Sequence, residues 1–351
     1  MTAKSNSLQN VRGFLKRKDI EISAKRYFID AMGSMALGLF ASLLIGTILN
    51  TIGQKLGITF LTEVVWPICK DMTGAAIGVA VAYALKAPPL VLFSSAVTGA
   101  AGYALGGPAG SYIAVLISTE LGKLVSKETK VDILVTPAVT VVSGVFIGAT
   151  VGPYIAALMT GLGNFIMYAT TLRPFVMGIL VSVVMGMVLT LPISSAALAM
   201  MLSLGGIAGG AATVGCSAQM IGFAVMSFKE NGFGGLLSQG LGTSMLQVPN
   251  IIKNWKIWIP PTLASAILGP VATIVFKMQN IPMGSGMGTS GLVGQFGTYQ
   301  AMTEAGVDGT RILLYILVLH IILPAILTLL IAKPMRKMGW IKPEDLKLDL
   351  G

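Results

Sequence analysis

The stretch RILLYILVLHIILPAILTLLIA, residues 311–332, decides the fold class of this chain. Its residues are apolar over about 20 consecutive positions, the length that a helix needs to cross roughly 30 Å of hydrocarbon. A similar stretch, AMGSMALGLFASLLIGTILNTI, occupies residues 31–52. The strands of a membrane barrel would instead alternate apolar and polar residues over about ten positions. The two stretches therefore predict an all-α integral membrane protein.

The composition of the whole chain agrees with this class. Of the 351 residues, 54% are hydrophobic and 11% are charged, whereas soluble domains carry about 25% charged residues. A soluble protein of this length could not bury so much apolar surface, because its core grows only with the volume it encloses. We therefore expect membrane lipid to surround the protein.

Apolar segments on both sides of these two stretches predict about ten transmembrane helices. A further apolar stretch, 153–172, ends at Arg173, and we expect it to lie along the membrane interface as a connecting helix. The ten predicted crossings are 31–52, 72–86, 88–105, 107–122, 133–151, 174–192, 193–210, 212–228, 257–278 and 312–332.

The net charge of +10 indicates membrane topology rather than nucleic-acid binding, since aromatic residues are few and basic residues gather between the apolar segments. With both termini in the cytoplasm, only five of the 24 basic residues fall outside, as the positive-inside rule expects. Residues 1–30 predict an amphipathic helix on the cytoplasmic face, with a soluble arm as the alternative. The five outer basic residues are Lys55, Lys70, Arg173, Lys277 and Arg311.

Two segments are rich in glycine and amides and do not fit plain spans. Residues 232–252 read GFGGLLSQGLGTSMLQVPNII, and residues 281–303 read IPMGSGMGTSGLVGQFGTYQAMT. A broken backbone at membrane depth is tolerated only where protein or a water-filled cavity satisfies its polar groups. We expect two re-entrant hairpins, the first from the cytoplasm and the second from outside; ordinary extramembrane loops are the alternative.

The polar side chains of these hairpins are the candidate binding residues. They are amides and hydroxyls with little charge, which suits a neutral polyhydroxylated solute that both donates and accepts hydrogen bonds. The predicted set is Ser244, Gln247, Asn250, Ser290, Gln295, Thr298 and Gln300.

Three further polar residues lie near breaks or inside spans. Ser194 and Ser195 belong to the TLPISSAA break, which either lines a cavity or forms a tight turn. Gln219 lies in the eighth predicted crossing and faces either a cavity or a neighbouring helix.

His320 is the single histidine of the chain and lies in the last crossing. An ionisable residue inside a span is a functional hypothesis, here a partner for a proton or phosphoryl step; a packed neutral histidine is the alternative. One histidine excludes a multi-histidine metal site. Cys69 and Cys216 have no metal-binding spacing, and no glycine-rich loop ends in the Lys-Ser/Thr pair of nucleotide sites. We expect no metal, no cofactor and no catalytic motif.

Four stretches of the chain resemble a known family. They are NVRGFLKRKDIEISAKRYFIDAMGSMALGLF (10–40), LRPFVMGILVSVVMGMVLTLPISSAA (172–197), LLSQGLGTSMLQVPNIIKNW (236–255) and GSGMGTSGLVGQFGTY (284–299). These stretches resemble the IIC membrane subunits of the bacterial sugar phosphotransferase system, in the branch that includes perfringolysin-regulator-like proteins.

The resemblance implies a sugar permease in the bacterial cytoplasmic membrane, usually a homodimer with an elevator-like mechanism. It divides the chain into an N-terminal helix (1–30), scaffold helices with the connector (31–172), a hairpin-bearing transport region (173–332) and a cytoplasmic tail (333–351). No IIA or IIB domain is fused to the chain, so the phosphoryl donors would be separate proteins.

Sugar-transporting IIC subunits resemble one another in a histidine and a hairpin glutamate near the phosphorylated hydroxyl. Here the first hairpin carries Gln247 and Asn250 and no acid, and His320 falls late in the chain. Coupling to phosphorylation therefore stays open. The alternative function is a membrane-embedded ligand sensor that regulates a partner without transport.

Overall fold

The structure is a computed structural model that describes residues 13–348, without the side chains of Lys55 and Met201. The described residues form helices and no strand, with one isolated bridge between Gly206 and Asn280. The all-α prediction is confirmed. Residues 1–12 of the predicted N-terminal helix lie outside the described residues.

The helices are numbered in chain order from the first long apolar one. They are α1 Arg26–Gln54, α2 Phe60–Asp71, α3 Thr73–Ala84, α4 Pro89–Val125, α5 Asp132–Thr170, α6 Pro174–Thr190, α7 Ser195–Met201, α8 Gly206–Met226, α9 Phe228–Leu237, α10 Val248–Lys253, α11 Trp255–Val275, α12 Pro282–Ser285, α13 Val293–Glu304 and α14 Gly309–Lys337.

Six of these helices, α1, α4, α5, α8, α11 and α14, are long and apolar enough to cross a membrane. The number becomes seven if α2 and α3, which meet at an angle of 45°, form one broken span. The protein is therefore a multi-pass helical membrane protein, and the figure of ten crossings stays a prediction.

Helix α4 folds back on itself where the sequence predicted a boundary between two crossings. Its helical dihedrals are interrupted at Gly106 and Gly107, and Gly107 has φ of 60°, which glycine adopts readily. Across the break, Gly102 and Gly110 approach so closely that a Cβ on Gly102 would lie 2.6 Å from the Gly110 carbonyl oxygen. The two halves of α4 thus pack as an antiparallel pair.

Predicted bounds are wrong near residues 193–212, where α8 runs without a break through the predicted boundary at 210–212, and before residue 153. The predicted crossing 193–210 is two helices, because Ser194 caps α7 by accepting a hydrogen bond from the Ala197 amide (3.2 Å) and the chain turns at Ser203 before α8. The predicted boundary before residue 153 is absent, because α5 continues through Pro153. Proline is tolerated inside membrane helices where the surroundings satisfy the freed carbonyl group.

The chain separates into two compact units. The first consists of Met1–Ser42 and Asp71–Ala156, and the second of Leu43–Lys70 and Ala157–Gly351. In the first unit α3 packs on α4 through glycines: a Cβ on Gly78 would lie 2.2 Å from the Ser95 carbonyl oxygen. Small residues let helix backbones approach closely where lipid supplies no hydrophobic drive between helices.

An ionic network fixes the N-terminal segment to the first unit. The guanidinium of Arg26 donates to both carboxylate oxygens of Asp19 (3.2 and 3.0 Å) and to the Leu85 carbonyl (2.8 Å). Hydrogen bonding to Arg26 lowers the pKa of Asp19. The buried ammonium of Lys123 donates to the carbonyl oxygens of Asp19 and Leu85. The predicted helix over residues 1–30 is interrupted here, since a short helix at 13–17 is followed by a turn at Asp19.

Helix α8 forms the centre of the second unit and is buried along most of its length. Helices α6 and α11 pack against it and against each other at glycines. A Cβ on Gly215 would lie 1.9 Å from the Ser182 carbonyl oxygen, and one on Gly269 would lie 2.0 Å from that of Gly178. Both glycine-rich segments pack against this core.

Candidate functional site

The first glycine-rich segment, 232–252, is a helix broken at a buried point. Helix α9 continues into a π-helical turn at Ser238–Gly242, the backbone is extended at Thr243, and a 3-10 turn at Ser244–Gln247 leads into α10. The hydroxyl of Thr243 accepts a hydrogen bond from the Met245 amide (3.1 Å), which stabilises the break. We call this segment the first hairpin.

The second glycine-rich segment, 281–303, is broken in the same way. Helices α12 and α13 flank a turn in which Gly288 and Gly291 adopt positive φ. The buried amide of Asn280 holds the segment, because its Nδ2 donates to Thr213 Oγ1 (2.6 Å) and to the Gly294 carbonyl (3.0 Å). We call this segment the second hairpin. Its helix–break–helix form agrees with the sequence prediction, while its depth in a membrane stays a prediction.

The two hairpins meet at their breaks. The hydroxyl of Thr289 donates to the Gly240 carbonyl (2.5 Å), which joins the second hairpin to the first. Gly288 lies against α8, where a Cβ on it would be 2.9 Å from the Ser217 amide nitrogen. The hydroxyl of Ser195 donates to the Gly286 carbonyl (2.6 Å). Ser195 thus holds the second hairpin, and Ser194 caps a helix.

Five buried polar atoms around the second hairpin have no hydrogen-bond partner in the described part of the protein. The amide Nε2 of Gln295 lies 3.1 Å from Nδ1 of His320, which joins α13 to α14. A buried polar group without a partner costs roughly 1–3 kcal/mol, so a group of them points to a polar ligand or water. We call these residues the unpaired polar cluster. The five atoms are Ser217 Oγ, Ser290 Oγ, Gln295 Oε1, Thr298 Oγ1 and His320 Nε2.

Gln219 and Ser244 lie in a second polar network, which the protein satisfies internally. Thr190 and Ser244 share a hydrogen bond between their hydroxyls (2.8 Å), and Thr190 also contacts Gln219 Oε1 (3.4 Å). Gln219 donates to Thr262 (3.1 Å) and accepts from the indole of Trp258 (3.0 Å). An apolar groove of about 270 Å³ lies beside it, lined by Met187, Trp255, Trp258, Ile259, Thr262 and Leu263.

Gln247 and Asn250 are bound by other parts of the chain. Nε2 of Gln247 donates to Gln239 Oε1 (2.9 Å) and to the Leu346 carbonyl (3.0 Å). Nδ2 of Asn250 donates to Gln247 Oε1 (2.9 Å) and to the Lys347 carbonyl (2.8 Å). Their amides are therefore joined to the C-terminal residues.

Gln300 is separate from the other candidates. It is exposed and donates to the carboxylate of Glu304 (3.0 Å) at the far end of α13. Nearby is a surface cavity of about 400 Å³, lined by Gly205, Gly206, Gln279, Asn280, Ile281, Pro282, Ala301, Glu304 and Ala305.

Among the predicted residues, the structure places Gln295 within hydrogen-bond distance of His320, and Ser290 and Thr298 lie on the same hairpin as Gln295 with buried hydroxyls that have no partner in the described part of the chain. Ser217 and Asn280 are further buried polar residues at this hairpin, which the sequence did not single out. Ser217 lies one helical turn after Thr213 on α8, so a polar stripe on an otherwise apolar helix was the available signal. Asn280 directly precedes the second hairpin. No group of three or more His, Cys, Asp or Glu side chains suited to a metal occurs among residues 13–348.

A family model described as phosphotransferase system, EIIC, matches residues 29–348, which include both hairpins and the whole unpaired polar cluster. This chain belongs to the EIIC family. The resemblance to IIC membrane subunits is thereby confirmed. No curated protein and no solved structure gave a match. Membership of the EIIC family and the apolar helices together make this a multi-pass membrane protein whose family function is sugar transport by a permease.

Proposed function

We propose that this EIIC protein carries a neutral sugar or polyol across the bacterial cytoplasmic membrane and binds it at the unpaired polar cluster. The observation that carries the proposal is the group of five buried, unpartnered polar atoms beside a broken helix. Serine and threonine hydroxyls both donate and accept, and an amide oxygen accepts, so together they match the hydroxyls of a sugar.

The charge of the cluster favours a neutral solute. Four of its five residues cannot ionise, and the fifth is His320. With Gln295 Nε2 donating to His320 Nδ1, a neutral imidazole carries its proton on Nε2. His320 then offers one N–H donor to a sugar hydroxyl. The position of His320 in the cluster also supports a role for it in a proton or phosphoryl step.

The wider proposal follows the family. The hairpins enter the membrane as re-entrant segments, ten crossings place both termini in the cytoplasm, the protein is a homodimer, and separate IIA and IIB proteins supply phosphoryl groups. In an elevator-like mechanism region 173–332 would move the sugar and region 31–172 would act as the scaffold. The elevator-like mechanism is supported by the finding that both hairpins belong to one compact unit.

A binding experiment tests the site. Thermal unfolding of the purified protein is followed with glucose, galactose, fructose, mannitol, maltose and cellobiose, since a ligand that binds only the folded state raises the unfolding temperature. For the sugar with the largest effect, Thr298→Val should weaken binding about 5- to 150-fold, because it removes one buried hydrogen bond worth roughly 1–3 kcal/mol.

Thr303→Val is the matched control, since Thr303 lies on the same helix and is exposed. Its sugar affinity should equal that of the unaltered protein. If the Thr298 variant bound sugar as tightly as the unaltered protein, the Thr298 hydroxyl would not contact the sugar. If Gln295→Leu also bound sugar equally tightly, the unpaired polar cluster would not be the binding site.

A further inference from the structure

The chain beyond α14 folds back onto the first hairpin. Ile341 and Leu346 are almost fully buried, with 1% and 0% of their surface exposed. They pack in a cluster with Phe223 of α8 and Ile251 of α10. The tail is therefore packed against the second unit through these two side chains.

Three amide side chains in and around the first hairpin bind the backbone of this tail. Asn231 donates to the Leu346 carbonyl and accepts from the Leu348 amide, both at 2.8 Å. Gln247 also donates to the Leu346 carbonyl, and Asn250 donates to that of Lys347. Side-chain amides that bind main-chain groups hold a peptide in a defined register.

Asn254, which follows α10, extends this binding surface along the tail. Its Nδ2 donates to the carboxylate of Asp345 (2.7 Å) and to the Trp340 carbonyl (2.9 Å). The ammonium of Lys256 lies over the Trp340 ring at 5.4 Å. The tail thus occupies a continuous amide-rich surface from Asn231 to Lys256.

The tail uses the last free donors of two predicted binding residues. A primary amide has two N–H donors. Gln247 donates one N–H to the Gln239 side chain and the other to the Leu346 carbonyl. Asn250 donates one to the Gln247 side chain and the other to the Lys347 carbonyl. While the tail is bound, neither amide can donate to a sugar.

We propose that residues 340–348 are an intramolecular latch that holds the first hairpin closed and must be released for transport. The hydrogen bond from Thr289 to Gly240 joins the first hairpin to the second, which carries the unpaired polar cluster. A first hairpin held by the tail therefore also restrains the sugar site. The transport part of this inference rests on the proposed function.

A reversible cross-link between the tail and the hairpin tests the latch. Asn254→Cys and Asp345→Cys are combined in a chain with Cys69 and Cys216 replaced by alanine, and a short thiol-cleavable bis-methanethiosulfonate reagent bridges them. The matched control is Glu344→Cys with Lys347→Cys, because these exposed residues form an ion pair within the tail (3.4 Å). That bridge leaves the tail free to detach.

The first readout is hydrogen–deuterium exchange of residues 238–252, which needs no sugar. The Asn254–Asp345 bridge should slow exchange by about tenfold or more relative to the same sample after reduction, since it removes the opening reaction. The control bridge should leave exchange unchanged. Equal exchange before and after reduction of the Asn254–Asp345 bridge would overturn the latch.

The second readout is the flux of radiolabelled glucose, mannitol and maltose through proteoliposomes of the same samples. The bridged protein should carry less than about one-tenth of the sugar carried after reduction, because only the released state transports. Equal flux in the two states would also overturn the latch. If the reduced protein carries none of the three sugars, the hydrogen–deuterium exchange result still tests the latch. The missing flux then counts against the proposed function alone.

Discussion

The two nitrogens of His320 have different environments. Nδ1 faces Gln295, whereas Nε2 is buried without a partner among the described residues. This difference separates the packing role of the ring from its role toward a ligand.

Two substitutions of His320 follow from that difference. In His320→Gln the side-chain nitrogen reaches the position of Nε2, whereas in His320→Asn it reaches only that of Nδ1. The asparagine variant should therefore bind sugar roughly 5- to 150-fold more weakly, as expected for one lost buried hydrogen bond. The glutamine variant should retain most of the affinity. Isothermal titration with the best sugar measures both, and an asparagine variant that binds as tightly as the glutamine variant would refute the role of Nε2.

Lys123 provides a residue-scale test outside the site. Its side chain is 1% exposed and forms an ion pair with Glu120 (3.0 Å) in addition to its two backbone carbonyl contacts. Lys123→Met should destabilise the protein by about 3–5 kcal/mol, because it leaves the part-buried Glu120 carboxylate with only the Tyr27 hydroxyl among the described residues and removes the donor to the Asp19 and Leu85 carbonyls.

Thermal unfolding of the detergent-solubilised protein measures the change at Lys123. The double variant Lys123→Met with Glu120→Gln should recover much of the lost stability, since it removes both charges together. A single variant that unfolds at the temperature of the unaltered protein would show that the ion pair is not needed.

At the scale of elements, the second unit depends on close contacts between helix backbones. Gly215→Ala would place a methyl group 1.9 Å from the Ser182 carbonyl oxygen, so α8 and α6 would have to separate. We expect destabilisation of at least about 1–3 kcal/mol, as for other overpacked cores. Gly161→Ala is the control, because its Cβ would meet no atom of residues 13–348 within 4 Å.

The two glycine variants are compared by thermal unfolding in the same detergent. The Gly161 variant should be as stable as the unaltered protein or slightly more so, since alanine favours helix over glycine. Equal stability of the two variants would contradict the packing of α8 on α6.

The elements show where sequence reasoning succeeds. The break of α4 was predictable because Gly106, Gly107 and Pro108 follow one another, and this run disfavours a helix strongly. The end of α7 was missed because residues 193–210 are mostly apolar, and hydropathy does not register the turn at Ser203. At Pro153 the sequence predicted a helix boundary that the structure lacks, because a membrane helix tolerates an internal proline.

The sequence could predict which types of residue form the candidate site, but not which of them contact one another. The sequence singled out the amides and hydroxyls of both hairpins, yet it could not divide them among separate networks. Gln247 and Leu346 are 99 positions apart, and their contact depends on how α14 returns the tail to the hairpin. Ser217 enters the cluster only because Gly288 lets the second hairpin approach α8.

At the scale of the whole molecule, membership of the EIIC family and the apolar helices establish the class, and the solute site that we propose lies at the two hairpins. A membrane sensor with the same fold would bind sugar in the same cluster without moving it. Binding experiments therefore locate the site, and only a flux experiment separates transport from sensing.

Transport through the cluster is tested by the initial rate of sugar flux into proteoliposomes, with the sugar that stabilises the purified protein most. We predict saturable flux through the unaltered protein and a loss of about 25-fold or more in the double variant Gln295→Leu with Thr298→Val, which removes two buried hydrogen bonds. Flux that is absent from the unaltered protein despite binding, or equal in the double variant, would contradict carriage through the unpaired polar cluster.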